Sequence, residues 1–196
     1  VSGWLLTKDH RYAKQAIAHA KAWFMDKNTH MNPSMNYAQA IKGVASGRGI
    51  GLIDGIHLIE VARSMEHLKT AGELNATERQ AINEWFASYL QWMNTHPYGL
   101  EEKATKNNHA SCWLLQAAAF ARYTDNQAIL DSCVQRFQEV ILPNQLADNG
   151  SFPLELARTK PYGYSLFNLD IFAGITRILQ KHSPNKCPGC LLHPIH

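Results

Sequence analysis

The chain has 196 residues, of which 45% are hydrophobic and 18% charged, with a formal net charge of +3 and a pI near 8.7. That describes one domain, or part of a larger one, able to bury a sizeable core, and it excludes a disordered tail. No apolar run approaches the ~20 residues of a membrane span and no Lys/Arg block marks a nucleic-acid patch, so neither partner is expected.

The start, VSGWLLTKDH, has no initiating methionine and no visible signal peptide, which suggests a processed chain or a fragment. From there the helical period dominates. DHRYAKQAIAHAKAWFMD opens on an Asp9 cap and sets Tyr12, Ile17, Ala20 and Phe24 on or near one stripe. A long loop is expected over Lys27–Gly51. LIDGIHLIEVARSMEHLKTAG then carries Ile56, Ile59, Met65 and Leu68 and stops at Gly72. NATERQAINEWFASYLQWMNTH starts with Asn75 as cap or with Thr77-Glu78 in its first turn. It buries Ile82, Trp85, Phe86, Tyr89 and Met93 before Pro97 ends it.

After a second loop, Tyr98–Lys106, the pattern predicts a helix from about Asn108 to Tyr123. DNQAILDSCVQRFQEVIL follows, capped by Asp125 or Asn126 and stopped by Pro143. A third loop, Asn144–Tyr164, leads to a last helix at roughly Ser165–His182. No stretch alternates with period two between turns, so a sheet of any size is not expected. Six helices with short or medium connections predict an all-α fold of stacked antiparallel helical hairpins over 1–183. Residues 184–196 are expected to form an unstructured tail.

Cys112 and Cys133 fall within apolar helical patterns and are expected to be buried thiols. Cys187 and Cys190 form CPGC in the tail, with His193 and His196 after it. That spacing is far tighter than the usual separation of zinc-ligand pairs, and a redox CxxC would need a βαβ context. No metal or cofactor is expected.

Three segments gather residues that handle anions. In KNNHASCW, Asn107 can cap the helix while Asn108 and His109 either lie in an exposed first turn or project into a cleft as donors. In ELARTKPYGYS, Arg158 sits near Tyr162 and Tyr164; a guanidinium forks a carboxylate, and a nearby cation lowers a phenol's pKa from ~10, making it a usable base. In NPSMNYAQAIKGVASGRGIG, the glycines fit a tight backbone path with Tyr37 or Arg48 facing a ligand, since GRGIG has neither a strand before it nor a Lys-Ser/Thr after it. HExxH, GxSxG and P-loop motifs are absent. Glu101-Glu102 and Glu155 could supply the carboxylate pair of a glycosidase, but adjacent glutamates more commonly mark a solvated loop.

MNPSMNYAQAIKG, GRGIGLIDGIHLIEVARSME, KNNHASCW and PLELARTKPYGYSLFNLD resemble, in order, the sequence blocks of the alginate-lyase-like superfamily of polysaccharide lyases. The resemblance spans roughly Asn32–Leu179 and implies an incomplete α/α toroid. It implies β-elimination on an acidic polysaccharide such as alginate or glucuronan, with no cofactor, and export to the periplasm or beyond the cell. By motif it carries the catalytic roles to Asn108, His109, Arg158 and Tyr164. The chain departs from the family at Gly163, where relatives often have His ahead of the Tyr-Ser pair, and in its length, since family domains tend to have more hairpins before the first block.

The chemistry accounts for these residue types. The C5 proton of a uronate is a poor acid while the adjacent carboxylate is charged, so donors from Asn108, His109 and Arg158 would stabilise the dianion that forms. Tyr164 is then the candidate for proton transfer, with His109 as the alternative base. Tyr37, Gln39, Arg48, Trp113 and Tyr162 are candidates to hold neighbouring sugars. A glycoside hydrolase on a similar toroid and a non-catalytic carbohydrate-binding fragment are the rival readings.

Overall fold

The computed structural model of the chain describes residues 1–182; the CPGC tail, with Cys187, Cys190, His193 and His196, lies outside the described residues. Its helices in chain order are α1 (Ser2–Thr7), α2 (His10–Phe24), α3 (Leu58–Thr70), α4 (Ala76–Thr95), α5 (Pro97–Ala104), α6 (Asn108–Tyr123), α7 (Gln127–Arg136), α8 (Leu142–Gln145), α9 (Pro153–Leu156) and α10 (Pro161–His182). A 3-10 stretch over Gly49–His57 feeds α3, and a π turn over Phe137–Ile141 joins α7 to α8. The single Ile41–Ala45 bridge is the only strand-like pairing among the described residues.

Local chemistry sets most of these boundaries. Asp9 caps α2 by accepting the Arg11 amide, and Asn126 caps α7 by accepting the Ile129 amide. Gly72, at φ +76°, takes the left-handed position that ends α3, and the amide of Glu73 reaches back to Leu68. Within α2 the buried stripe is Ala13, Ile17, Ala20 and Phe24; Tyr12 is half exposed and not part of it.

Prolines account for the main departures from expectation. The expected loop after Pro97 is α5, because a proline that stops one helix is well suited to the first turn of the next. The side chain of His96 accepts the Tyr98 amide and completes that start. Pro161 begins α10 four residues earlier than expected in the same way. Pro143 does not end the helical path after α7. The wider π turn just before it opens the hydrogen-bond ladder, and Pro143 enters α8 in its first turn, where no amide bond is needed.

α6 is the axis of the fold and is buried along nearly its whole length; it packs against α3, α4, α5, α7 and α10, with α2 set against α4 on the flank. Rings on its C-terminal half and on α4 interlock: Phe86 meets Phe120 at 5.1 Å and Tyr123 at 5.2 Å, and Phe24 of α2 meets Trp85 at 4.6 Å. Buried large side chains of this kind each cost about 3–5 kcal/mol to truncate to alanine. The result is an all-α, incomplete toroid of helical hairpins, with the N-terminus of α6 held rigidly at one end.

The glycines of the 3-10 stretch allow its close passage over α4 and α6. A side chain at Gly55 would collide with the Tyr89 hydroxyl and the Gln116 amide; ahead of the stretch, one at Gly47 would collide with the backbone of Asn36. Cys112 and Cys133 are buried free thiols, both pushed up to about 12 by burial.

Candidate active site

The first turn of α6 gathers groups from four elements. Asn107 caps the helix, its side chain accepting the His109 amide at 3.2 Å. The Asn108 amide goes to Glu155 Oε1 of α9 at 2.7 Å, and Asn108 is 1% exposed. His109 Nδ1 lies 2.6 Å from Glu102 Oε1 of α5; the Glu102 side chain is fully buried, whereas that of His109 is 18% exposed. From α8, Gln145 donates to the Asn107 carbonyl at 2.9 Å, while its own Oε1 accepts from Ser111 and from Asn168 of α10. α5, α8 and α9 therefore converge on three consecutive residues, and α10 braces Gln145 behind them.

Not every polar atom here is satisfied. Glu102 Oε2, Asn108 Oδ1 and Glu155 Oε2 are buried with no protein partner among the described residues. Buried orphans of this sort cost stability. Others occur in the core, at the Tyr89 and Tyr123 hydroxyls among them, but at this turn three are acceptors on adjoining residues.

Arg158 follows closely on α9, and its amide bonds the Glu155 carbonyl at 3.1 Å. Glu155 thus grips the start of α6 with its side chain and steadies Arg158 with its backbone. The Arg158 guanidinium lies 4.2 Å over the Tyr164 ring, in the first turn of α10, and has no hydrogen-bond partner among the described residues. Both side chains are half-buried. His109 opens onto a cavity of about 440 Å³ lined by Ile50, Thr105, Lys106, Asn107 and Leu154, the last of these on α9.

The remaining expected site residues are dispersed. Arg48 donates from Nε to the Gln39 carbonyl at 2.9 Å and from Nη2 to the Gln39 side chain at 3.1 Å, and Gln39 in turn donates to Asp54. Gln39 is in the left-handed region at φ +50°, so this pair clamps a tight turn. Tyr37 and Tyr162 are largely exposed at 74% and 77%. Trp113 is 2% exposed, donates to the Met93 carbonyl and carries the Lys103 ammonium 4.7 Å over its ring. Its ring faces are enclosed by protein, which removes it from any sugar-stacking surface. Burial, then the charge of Arg136, holds the Lys103 amine below the usual lysine range.

Sequence reasoning missed Glu102 and Glu155 in these positions. Glu102 reads as solvated next to Glu101 until the segment is known to be helical and its side chain turns inward. At 0% and 1% exposure, behind His109 and Asn108, neither carboxylate has a surface from which to protonate or attack a glycosidic bond. What the arrangement offers is a mostly buried imidazole with one nitrogen anchored, a guanidinium with its donors free, and a phenol in contact with that cation.

The family model described as alginate lyase matches residues 2–186. Among solved structures, the crystal structure of an alginate lyase from Bacteroides ovatus superposes with a TM-score of 0.83 at 34% sequence identity. The match covers 92% of this chain and 47% of the other, so the chain spans about half the length of that relative. No curated protein matches the chain.

Proposed function

The chain belongs to the alginate lyase family, and from that premise we propose that it cleaves an acidic polyuronate of the alginate or glucuronan type by β-elimination. The observation that carries this reading is the pairing of two features. The anchored Asn108-His109 turn stands at the start of α6, and Arg158 stacks on Tyr164 with its hydrogen-bonding edge free. Glu155 links the two, accepting the Asn108 amide with its side chain and the Arg158 amide with its carbonyl.

In the proposed reaction the uronate carboxylate meets Arg158 and the Nε2–H of a charged His109, with Asn108, buried at 1% exposure, backing them from the same turn. Their donors neutralise it and stabilise the charge that builds as the C5 proton leaves. Tyr164, beside the Arg158 cation, takes part in proton transfer, with His109 as the alternative base. The electrons of the C5–H bond form the C4–C5 double bond, and the C4–O4 bond breaks as O4 is protonated. No step needs a cofactor. A net charge of +3 favours approach of an anionic polymer. Export to the periplasm or beyond the cell fits such a substrate; no helix among the described residues is long and apolar enough to cross a membrane.

The test is direct. Alginate, polymannuronate, polyguluronate and glucuronan are each incubated with the protein while ultraviolet absorbance of the unsaturated uronate is followed. A rise with at least one polymer is expected. Folded protein that yields no absorbing product from any of them overturns the proposal. A saturated product points to hydrolysis, and saturable binding without turnover to a carbohydrate-binding role.

A further inference from the structure

We propose that Glu102 is a positioning residue that fixes the tautomer of His109, reserving Nδ1 as a donor and leaving Nε2 as the one ring nitrogen that meets the substrate. This rests on the reading of His109 as part of a lyase site, but its central claim is about the protein alone. The argument begins with burial. Glu102 is fully buried on α5 and places Oε1 2.6 Å from His109 Nδ1. An ionised carboxylate only accepts hydrogen bonds, so the hydrogen at that contact belongs to Nδ1 whether the ring is neutral or charged.

The opposite edge of the ring then defines the chemistry. His109 borders the cavity lined by Lys106, Leu154 and Ile50, and Nε2 has no partner among the described residues. With Nδ1 occupied, a neutral His109 presents a lone pair there, and a charged one presents an N–H. A ring free to choose its tautomer would spend part of its time with the hydrogen on Nε2 and its lone pair turned away from the cavity. The bond to Glu102 removes that state, the same logic by which a buried carboxylate orients the histidine of a hydrolase triad.

The surroundings leave this role to Glu102. Cys112 on α6 is a neutral neighbour, its thiol pushed up to about 12 by burial, with the charges of Glu102 and Asp54 adding to the effect. Asp54 on the 3-10 stretch is engaged by Gln39, and Glu101 lies against Gly49. Glu155 on α9 takes the Asn108 amide, and Lys103 is turned onto Trp113. Lys106 lines the cavity. The second oxygen of Glu102 is orphaned, so His109 is the one hydrogen-bond partner of that side chain among the described residues.

Imidazole 15N shifts of the wild-type protein test this without any turnover. His109→Gln assigns the signal among the ten histidines. On the alkaline side of the ring's titration, Nδ1 is expected to be protonated and Nε2 bare. A bare Nδ1, or a signal averaged over both tautomers, overturns the proposal. Glu102→Gln gives the second readout, because its amide can present either an acceptor or a donor to Nδ1. It is expected to mix the tautomers and lower kcat by roughly 10- to 100-fold with KM little changed, while Glu102→Asp restores part of the rate. If the wild type shows the fixed tautomer but processes no polyuronate, the lyase reading falls and this inference stands.

Discussion

Two helix starts in this molecule use the same cap and do opposite things with it. At α4, Asn75 accepts the Glu78 amide and Glu78 returns a bond to the Asn75 amide; the second Glu78 oxygen pairs with Lys21 at 2.7 Å. Both Glu78 oxygens and the Asn75 side-chain oxygen are satisfied within four residues of sequence and one neighbouring helix. At α6, Asn107 also caps, here accepting the amide two residues on, but the next two residues are gripped by glutamates imported from α9 and α5, and three acceptors there remain orphaned. A closed capping box stabilises its helix. An open one that draws buried carboxylates from elsewhere gives up stability to hold Asn108 and His109 in place.

Substitutions at the two ends should separate turnover from stability. The largest effect is expected at Tyr164. Tyr164→Phe keeps the ring under Arg158 and removes only the hydroxyl, so kcat should fall by about 10²–10⁴-fold while polymer binding and the melting temperature hold. Unchanged turnover would remove Tyr164 from the proton path. Next is Arg158→Lys, which keeps the charge but loses the planar fork; kcat/KM should drop by roughly 10²-fold, and near-normal rates would show that a point charge suffices. Asn75→Ala should do the reverse. About 1 kcal/mol of stability is lost on denaturant unfolding, with kcat and KM unaltered. A loss of turnover there would break the contrast between the two helix starts.

The contrast also shows which parts of the molecule could be read from the sequence. The box at α4 is local, Asn75 and Glu78 lying three apart, and the cap and core stripe of that helix are legible from spacing alone. So are α6 and its Asn107 cap. The grip on Asn108 and His109 is not local: Glu155 is 47 residues from Asn108, and Glu102 looks solvated until α5 is known to be a helix. Spacing likewise could not separate Trp113, enclosed in the core, from a ring that faces a ligand. Arg48 and Arg158 looked alike as arginines in loops. Only their partners divide them, since Gln39 occupies the first and the second has its edge free.

The smallest effect, and the one that tests the closed box on its own terms, is a pH dependence at Glu78. Burial works to raise its pKa, but the Lys21 ammonium and the Asn75 amide outweigh it, and the carboxyl is held below its usual range. A folded-state pKa below the unfolded one contributes stability that is fully present above the unfolded value, about 4.3. That contribution is lost as the pH falls through the folded value. Glu78→Gln should therefore be less stable than wild type at neutral pH by about 1 kcal/mol or less, since Lys21 is half exposed and screened by solvent. The gap should persist down to the unfolded pKa and close below it, as the wild-type carboxyl is protonated and loses what the variant already lacks. Denaturant titrations of both proteins at neutral pH and at successively lower pH measure it. A gap that stays constant or widens in acid would mean that Glu78 acts through shape and hydrogen bonding alone. The ion pair with Lys21 would then contribute nothing to the start of α4.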